Sequence, residues 1–219
     1  MIEAIIPCRG GSTRVPRKNI RPFADSSLLA IKIEQLLRVD LFDVVTVNSD
    51  ADEMLDLARS LGAQAVRREE GLCDGDTLAS AFYLGLVRQS VREHIAMANC
   101  TNPLLRDETI ARCVTMYRDT QPTSVNTARL FREFLFDDQS RPCNFDPRAQ
   151  VRSQDLPAWR TPTFAFQLAH RDTVQQHANW LTPTPTWVLT DEIESVDIDT
   201  PLDFVHAEWL YRHVTCTSI

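Results

Sequence analysis

The apolar positions of this chain alternate between two rhythms. Ala4-Ile5-Ile6-Pro7-Cys8 is a short apolar run that stops at a glycine pair, the pattern of a buried strand ending at the carboxyl edge of a sheet. Leu28-Leu29-Ala30-Ile31 through Leu36-Leu37 then repeats with helical spacing, and Ser26 or Ser27 is placed to cap it. Val44-Val45-Thr46-Val47 is β-branched and bounded by Asn48-Ser49-Asp50, which predicts a second strand. Met54, Leu55, Leu57, Ala58 and Leu61 share a helix face that Gly62 ends. Ala65-Val66 reads as a short strand, and residues 77–92 as a helix with Leu78, Phe82, Leu84 and Leu86 among its apolar positions. His94 to Ala98 is a fourth strand, followed by a loop at 99–106 and a helix from about Asp107 to Met116.

This alternation predicts an α/β fold, a mostly parallel sheet with helices on both faces. Ligands of such sheets sit in the crevice beyond the carboxyl ends of the strands. Three polar or charged segments fall at such ends and are expected to converge there: residues 9–21, Asn48-Ser49-Asp50 and Asn99-Cys100-Thr101-Asn102. After about residue 120 the pattern changes. Residues 129–160 carry Phe131, Phe134 and Phe136 without a steady period, which predicts strands or an irregular arm projecting from the sheet, placed to cover the crevice or reach a second subunit. Glu194 to Pro201 runs into a last helix that continues to about Tyr211.

Composition narrows the class. The 219 residues suit one domain, or one domain with an appendage, and 43% hydrophobic with 24% charged residues is ordinary globular usage. A formal net charge of −7 argues against general nucleic-acid binding. No apolar run approaches the ~20 residues of a membrane span. The opening Met-Ile-Glu-Ala-Ile-Ile-Pro has no basic flank, so no secretory leader is expected. Cysteines 8, 73, 100, 113, 143 and 216 form no Cys-x-x-Cys pair; they are expected as free thiols in a reducing, cytoplasmic setting.

Against that acidic background, residues 9–21 (Arg-Gly-Gly-Ser-Thr-Arg-Val-Pro-Arg-Lys-Asn-Ile-Arg) carry five basic side chains and no acid. Gly10 and Gly11 are expected to let the backbone approach a ligand and aim N–H groups at phosphate oxygens. Arg9, Ser12, Arg14, Lys18 and Asn19 then suit a polyphosphate cradle. The loop is neither a Walker loop nor a Gly-x-Gly-x-x-Gly fingerprint, and a solvated surface loop is the plain alternative. Near the other end, Asp197 and Asp199 flank Ile198 and on a strand would face one side. Two bare carboxylates about 4 Å apart repel by roughly 4 kcal/mol at an effective dielectric near 20. A hard divalent cation offsets that with oxygen ligands; an exposed strand end with a capping Asp or Thr is the alternative. Cys8 and Cys100 read as small buried residues rather than nucleophiles.

These segments together resemble the cytidylyltransferase family that makes CMP-sialic acid and related CMP-activated sugar acids. Ile5 to Asn19 is similar to the family's opening nucleotide loop, Cys100-Thr101-Asn102-Pro103-Leu104 to its Pro-Thr-Ser-Pro-Leu element, and Ser153-Gln154-Asp155-Leu156-Pro157 to its Arg-Gln-Asp-Leu-Pro element. Ser195-Val196-Asp197-Ile198-Asp199-Thr200 with Asp203-Phe204 resembles its metal-binding segment. The resemblance implies a Rossmann-like sheet over residues 1–219, with a protruding dimerisation arm at about 125–165. It implies CTP against the first loop, with Arg9, Gly10, Gly11, Ser12, Arg14, Lys18, Asn19, Arg68 and Thr77 as nucleotide contacts. It implies Mg²⁺ held by Asp197 and Asp199, with Arg9 and Lys18 sharing the catalytic work. Asn99, Arg152, Gln154, Phe164 and Phe166 are the acceptor-site candidates, the arm of one copy completing its neighbour's site in a homodimer.

The chain departs from the family at three places. Thr13 stands for a lysine, Asn99 for a glutamine, and Pro162-Thr163-Phe164-Ala165-Phe166 for an Asn-Gly-Ala-x-Tyr acceptor element. The expected reaction is transfer of CMP from CTP to an anionic acceptor, a nonulosonic sugar acid first and a small phosphonate second, releasing pyrophosphate. A metal-dependent glycosyltransferase and an inactive nucleotide-binding homologue are the readings from other classes.

Overall fold

The structure is a computed structural model and describes residues 1–74 and 76–214. Seven strands form one sheet in the order β3-β2-β1-β4-β6-β5-β7. They are β1 (Ile2–Pro7), β2 (Val44–Ser49), β3 (Gln64–Arg67), β4 (His94–Ala98), β5 (Ser124–Phe131), β6 (Trp159–His170) and β7 (Thr186–Leu189). All pair in parallel except at β6, which runs antiparallel to both its neighbours, β4 and β5. The helices are α1 (Leu28–Val39), α2 (Asp52–Ser60), α3 (Ala79–Gln89), α4 (Asp107–Thr120), α5 (Arg171–His177) and α6 (Pro201–His213). The expected helix over 77–92 is thus shorter at both ends, and the expected strand through Asp197 and Asp199 does not form.

Burial on both faces explains why β1 is apolar along its length. Ile2, Ala4 and Ile6 face a core shared with α1, α2, α4 and α6, whereas Ile5 faces a second core with Leu86, Val87 and Trp180 on the α3 and α5 side. The one acid within β1, Glu3, is 1% exposed. Its carboxylate accepts from the Thr46 and Ser90 hydroxyls at 2.6 Å each and from the Val91 N–H at 2.8 Å, which meets its hydrogen-bonding demand. Ser27 caps α1 by accepting from the Ala30 N–H, and Thr200 with Asp203 forms a capping box that starts α6.

The β5–β6 pair contains the fold's main irregularity. Its register passes from Asn126↔Gln167 to Ala128↔Pro162, so residues 163–166 bulge against Thr127 alone. The Thr127 hydroxyl fills the bulge, accepting from Thr163 Oγ1 at 2.8 Å and the Phe166 N–H at 3.1 Å. At its crest Phe164 adopts φ +54°, a left-handed conformation uncommon for a bulky residue. Between β5 and β6, residues 132–158 leave the sheet as an arm with its own aromatic cluster, Phe145 meeting Phe134 at 4.8 Å and Phe136 at 5.3 Å between ring centroids.

Candidate functional site

A crevice of about 370 Å³ opens at the carboxyl ends of β1 and β4. The basic loop forms one wall through Arg9, Ser12, Thr13, Arg14, Lys18 and Asn19. Arg68, Leu72, Asp74, Thr77 and Phe82 form a second, and Asn99, Cys100, Thr101 and Asp199 close the third side.

The loop is shaped by internal bonds rather than by glycine freedom. Among the described residues Gly62 is the only glycine with positive φ; the loop's left-handed residue is Arg17, at φ +55°. Space is tight at Gly10, where a Cβ would lie 3.2 Å from the Ala51 Cβ, whereas a Cβ on Gly11 would meet nothing. The Gly10 N–H donates to Asp50 Oδ1 at 2.8 Å and the Ser12 N–H to the Gly10 carbonyl at 3.0 Å. The expectation that the Gly10 N–H points at phosphate is therefore corrected, since Asp50 takes it; the side chains of Arg9, Ser12, Arg14 and Lys18 line this wall. Asn19 is 4% exposed and acts as a brace, its Nδ2 donating to the Arg9 carbonyl at 3.3 Å while its Oδ1 accepts from Cys100 Sγ.

Arg68 is buried under the second wall. Its Nε donates to Asn48 Oδ1 at 2.9 Å, its Nη2 to the carbonyls of Cys8 and Asn48 at 3.1 Å each, and its guanidinium sits 4.7 Å from the Phe82 ring centroid. Burial lowers its pKa, the nearby Cys8 and Asp50 working against that. Burial pushes the Cys8 thiol strongly upward and the Cys100 thiol to about 11, so neither is a thiolate at neutral pH and both fit the packing role expected of them. The cysteines at 8, 73, 100, 113 and 143 are free, and Cys216 lies outside the described residues.

The two ends of the chain meet at the third side. Arg14 Nη2 lies 2.9 Å from Asp199 Oδ1, and Lys18 Nζ donates to the Ile198 carbonyl at 2.5 Å. The segment 196–199 pairs with no strand. Ile198 is fully buried, its N–H bonded to the Thr101 carbonyl at 3.0 Å, while Asp197 and Asp199 are both exposed on either side of it. Desolvation pushes the carboxyl of Asp197, which is not among the crevice's lining residues, upward and the Asp199 charge adds to this; the Thr101 hydroxyl and Lys18 oppose it. A carboxyl whose charge is disfavoured beside a second carboxylate is a donor set suited to a hard cation, and Mg²⁺ takes one or two carboxylates plus phosphates. Arg17, by contrast, turns away to Glu53 at 2.6 Å.

The acceptor candidates separate. Asn99 lines the crevice and its Nδ2 donates to the Phe164 carbonyl at 2.9 Å, with the Phe164 ring 39% exposed. Phe166 is corrected: it is fully buried in the main core, its ring centroid 6.1 Å from that of Phe42, and it has no surface to offer a ligand. The bulge is the reason, since it breaks the alternation that would have put residues 164 and 166 on one face. Arg152 and Gln154 are exposed on the arm, outside this chain's crevice walls, with Arg152 paired to Asp155 at 2.8 Å. Sequence reasoning brought the strand-end loops bearing Asp50 and Thr101 to the crevice without giving either residue a role, and it missed Leu72, Asp74 and Phe82 as lining residues. Those three follow no strand end directly, which is where the signal for a crevice residue lay.

Comparison with known proteins follows this geometry. The profile of the family described as "Cytidylyltransferase" matches residues 3–210. Pseudaminic acid cytidylyltransferase of Campylobacter jejuni is 27% identical over 95% of this chain and 95% of its own length. CMP-N,N'-diacetyllegionaminic acid synthase of Legionella pneumophila is 25% identical, also over 95% of each. N-acylneuraminate cytidylyltransferase A of Danio rerio is 25% identical over 94% of this chain and 50% of its own. Among solved structures, CMP:2-keto-3-deoxy-manno-octonic acid synthetase complexed with CTP superposes with a TM-score of 0.71 at 12% identity, over 97% of this chain and 99% of that one, a likeness of fold. The glycosyltransferase alternative is thereby set aside. With a single profile running over almost its whole length, the chain belongs to the cytidylyltransferase family.

Proposed function

We propose that the chain transfers CMP from CTP to a nonulosonic sugar acid and releases pyrophosphate. The observation that carries this reading is the meeting of the basic loop with the Asp197–Asp199 segment across one crevice, Arg14 against Asp199 and Lys18 against the Ile198 carbonyl. The two full-length bacterial relatives with named sugar-acid products support the acceptor class.

In this reading Arg9, Ser12, Arg14, Lys18, Arg68 and Thr77 receive the nucleotide, with Asn19 and the bond from the Gly10 N–H to Asp50 holding the loop in shape. An acceptor hydroxyl oxygen forms a bond to the α-phosphorus as it gives up its proton, and the bond from that phosphorus to the bridging oxygen breaks, so pyrophosphate leaves in line. Arg9 and Lys18 stabilise the negative charge that develops on the phosphoryl oxygens, so positioning and electrostatics supply the rate. Mg²⁺, held by Asp197 and Asp199, supplies further charge neutralisation to the phosphates when bound. Asn99 presents its amide, and Phe164 its half-exposed ring, at the acceptor end. Arg152 and Gln154, outside this chain's own crevice, are assigned to the site of a second copy, with the exposed Phe136 and Trp159 as packing surface in a homodimer.

The test is pyrophosphate release from CTP and Mg²⁺ with a panel of nonulosonic acids and small phosphonates. Turnover with a nonulosonic acid is expected. Turnover with phosphonates alone transfers the assignment to them, and CTP binding without turnover on any acceptor makes the chain an inactive homologue.

A further inference from the structure

Lys32 lies in α1 with none of its side chain exposed, an expensive place for a charge. Its ammonium donates to two neutral oxygens, Gln35 Oε1 at 2.6 Å and the Asn102 carbonyl at 3.2 Å. Burial lowers its pKa to about 8, with Cys100 and Asp107 pulling the other way. A methionine would occupy much the same volume without that penalty, so the charge and its donors call for a reason beyond packing.

The bonds beyond Lys32 supply one. Asn102, held from beneath through its carbonyl, donates its Nδ2 to the Val196 carbonyl at 3.1 Å. The preceding Thr101 carbonyl accepts the Ile198 N–H at 3.0 Å. These two bonds grip the chain on either side of Asp197. Gln35 reinforces the loop by donating to the Leu105 carbonyl at 2.6 Å and to Asp107 at 2.9 Å. Lys18 reaches the same segment from the basic loop, so the carboxylate pair is suspended between one lysine lining the crevice and one buried beneath it.

We infer that Lys32 is a positioning residue for the nucleotidyl transfer: by fixing the Asn102 carbonyl it sets where the segment bearing Asp197 and Asp199 lies against the basic loop. This rests on the function proposed above. Groups that orient metal-binding carboxylates without touching the metal typically cost about 10–100-fold in metal affinity or activity when removed.

The experiment uses the full chain as wild type and as two variants, Lys32→Met and Asn102→Ala. CTP is titrated calorimetrically without acceptor, once in EDTA and once in Mg²⁺, and thermal melting is followed alongside. Lys32→Met exchanges a buried charge for an apolar side chain of similar size, so its melting temperature is expected to hold or rise. Its CTP affinity in EDTA is expected to change little, while the gain in affinity on adding Mg²⁺ shrinks by about tenfold, with kcat falling in parallel. Asn102→Ala, which leaves the lysine in place, is expected to repeat the loss of the Mg²⁺-dependent gain. A purely structural role predicts the reverse, lower melting with the Mg²⁺-dependent gain intact, and that result overturns the inference. Should Lys32→Met not fold, Asn102→Ala decides alone, and an undiminished gain there overturns it. A wild type that binds no CTP in Mg²⁺ sinks the functional reading as well; a wild type that binds it, with variants that bind it equally, sinks only the role of Lys32.

Discussion

Arg14 and Asp199 stand 185 positions apart in the chain and meet at 2.9 Å across the crevice. Both side chains are more than half exposed, so the pair contributes at most about 1 kcal/mol to stability. That weakness suits a working site, because a cation or a phosphate can displace either partner at small cost. Arg14→Ala is therefore expected to shift stability by no more than about 0.5 kcal/mol in urea denaturation and to raise the KM for CTP by about tenfold, the worth of one charge-assisted contact. Asp199→Ala is expected to abolish pyrophosphate release while the protein still folds. Full activity in that variant removes the metal role from Asp199.

The carboxyl of Asp197 is held above the ordinary aspartate value of 3.8 by its crowded setting, with Asp199 adding to the shift. On acidification it takes up its proton earlier than an aspartate at the ordinary value does. For this raised carboxyl the folded chain binds the proton more readily than the unfolded one, so its charge disfavours the fold at neutral pH and the cost is relieved as pH falls through the raised value. Carboxyl NMR titration is expected to find Asp197 above the other aspartates, and lower in Asp199→Asn than in wild type. An unmoved value in that variant shows that the two carboxylates do not sense one another.

Phe164 and Phe166 separate by experiment as they do in the fold. Phe166→Ala empties a fully buried position and is expected to cost about 3–5 kcal/mol. At Phe164, φ of +54° reverses the usual ranking of small residues. Phe164→Gly is expected to be more stable than Phe164→Ala by about 1 kcal/mol, since alanine keeps the Cβ that the left-handed conformation penalises. Both Phe164 variants are expected to raise the KM for acceptor while leaving that for CTP near wild type. Equal stability of the two, read by urea denaturation, contradicts the strained crest.

Lys32 predicts a pH dependence of stability. Its pKa is depressed to about 8 in the folded chain, against 10.5 when free. Between these values the unfolded chain keeps a proton that the folded chain has released, so stability rises with pH, by about 3 kcal/mol across the window. Cys100, raised by burial to about 11 from 9.0, works in the opposite direction above pH 9. The measurement is the difference between wild type and Lys32→Met at pH 7.5 and 9.5, which cancels much of what they share. Wild type is expected to gain on the variant as pH rises.

The strands were legible because burial on two faces writes itself as unbroken apolar runs, as in Ala4 to Cys8 and Ile95 to Ala98. The burial alternation at residues 197–199 was legible too, although no strand forms there: Asp197 and Asp199 are exposed on either side of the buried Ile198. Phe166 was misread for another reason: it was named as part of the segment standing in place of the family's acceptor element, and the Thr127-filled bulge at residues 163–166 turns its ring into the core. Nothing in sequence announced that bulge, because its cause is a hydroxyl on another strand. Lys32 was invisible as well, since one lysine within a helical repeat reads as a solvent-facing position until the loop packed against it is known.

The reversed direction of β6 has a consequence for how such a protein can diversify. β5 leaves the sheet, and β6 enters it, at the same end that holds the crevice, so the arm hangs from the rim of the site. Residues can be gained or lost between Arg132 and Ala158 without re-registering any other strand pairing. On the function proposed above, acceptor preference is retuned by exchanging one excursion of chain, while the crevice walls at the carboxyl ends of β1 and β4 are inherited unchanged.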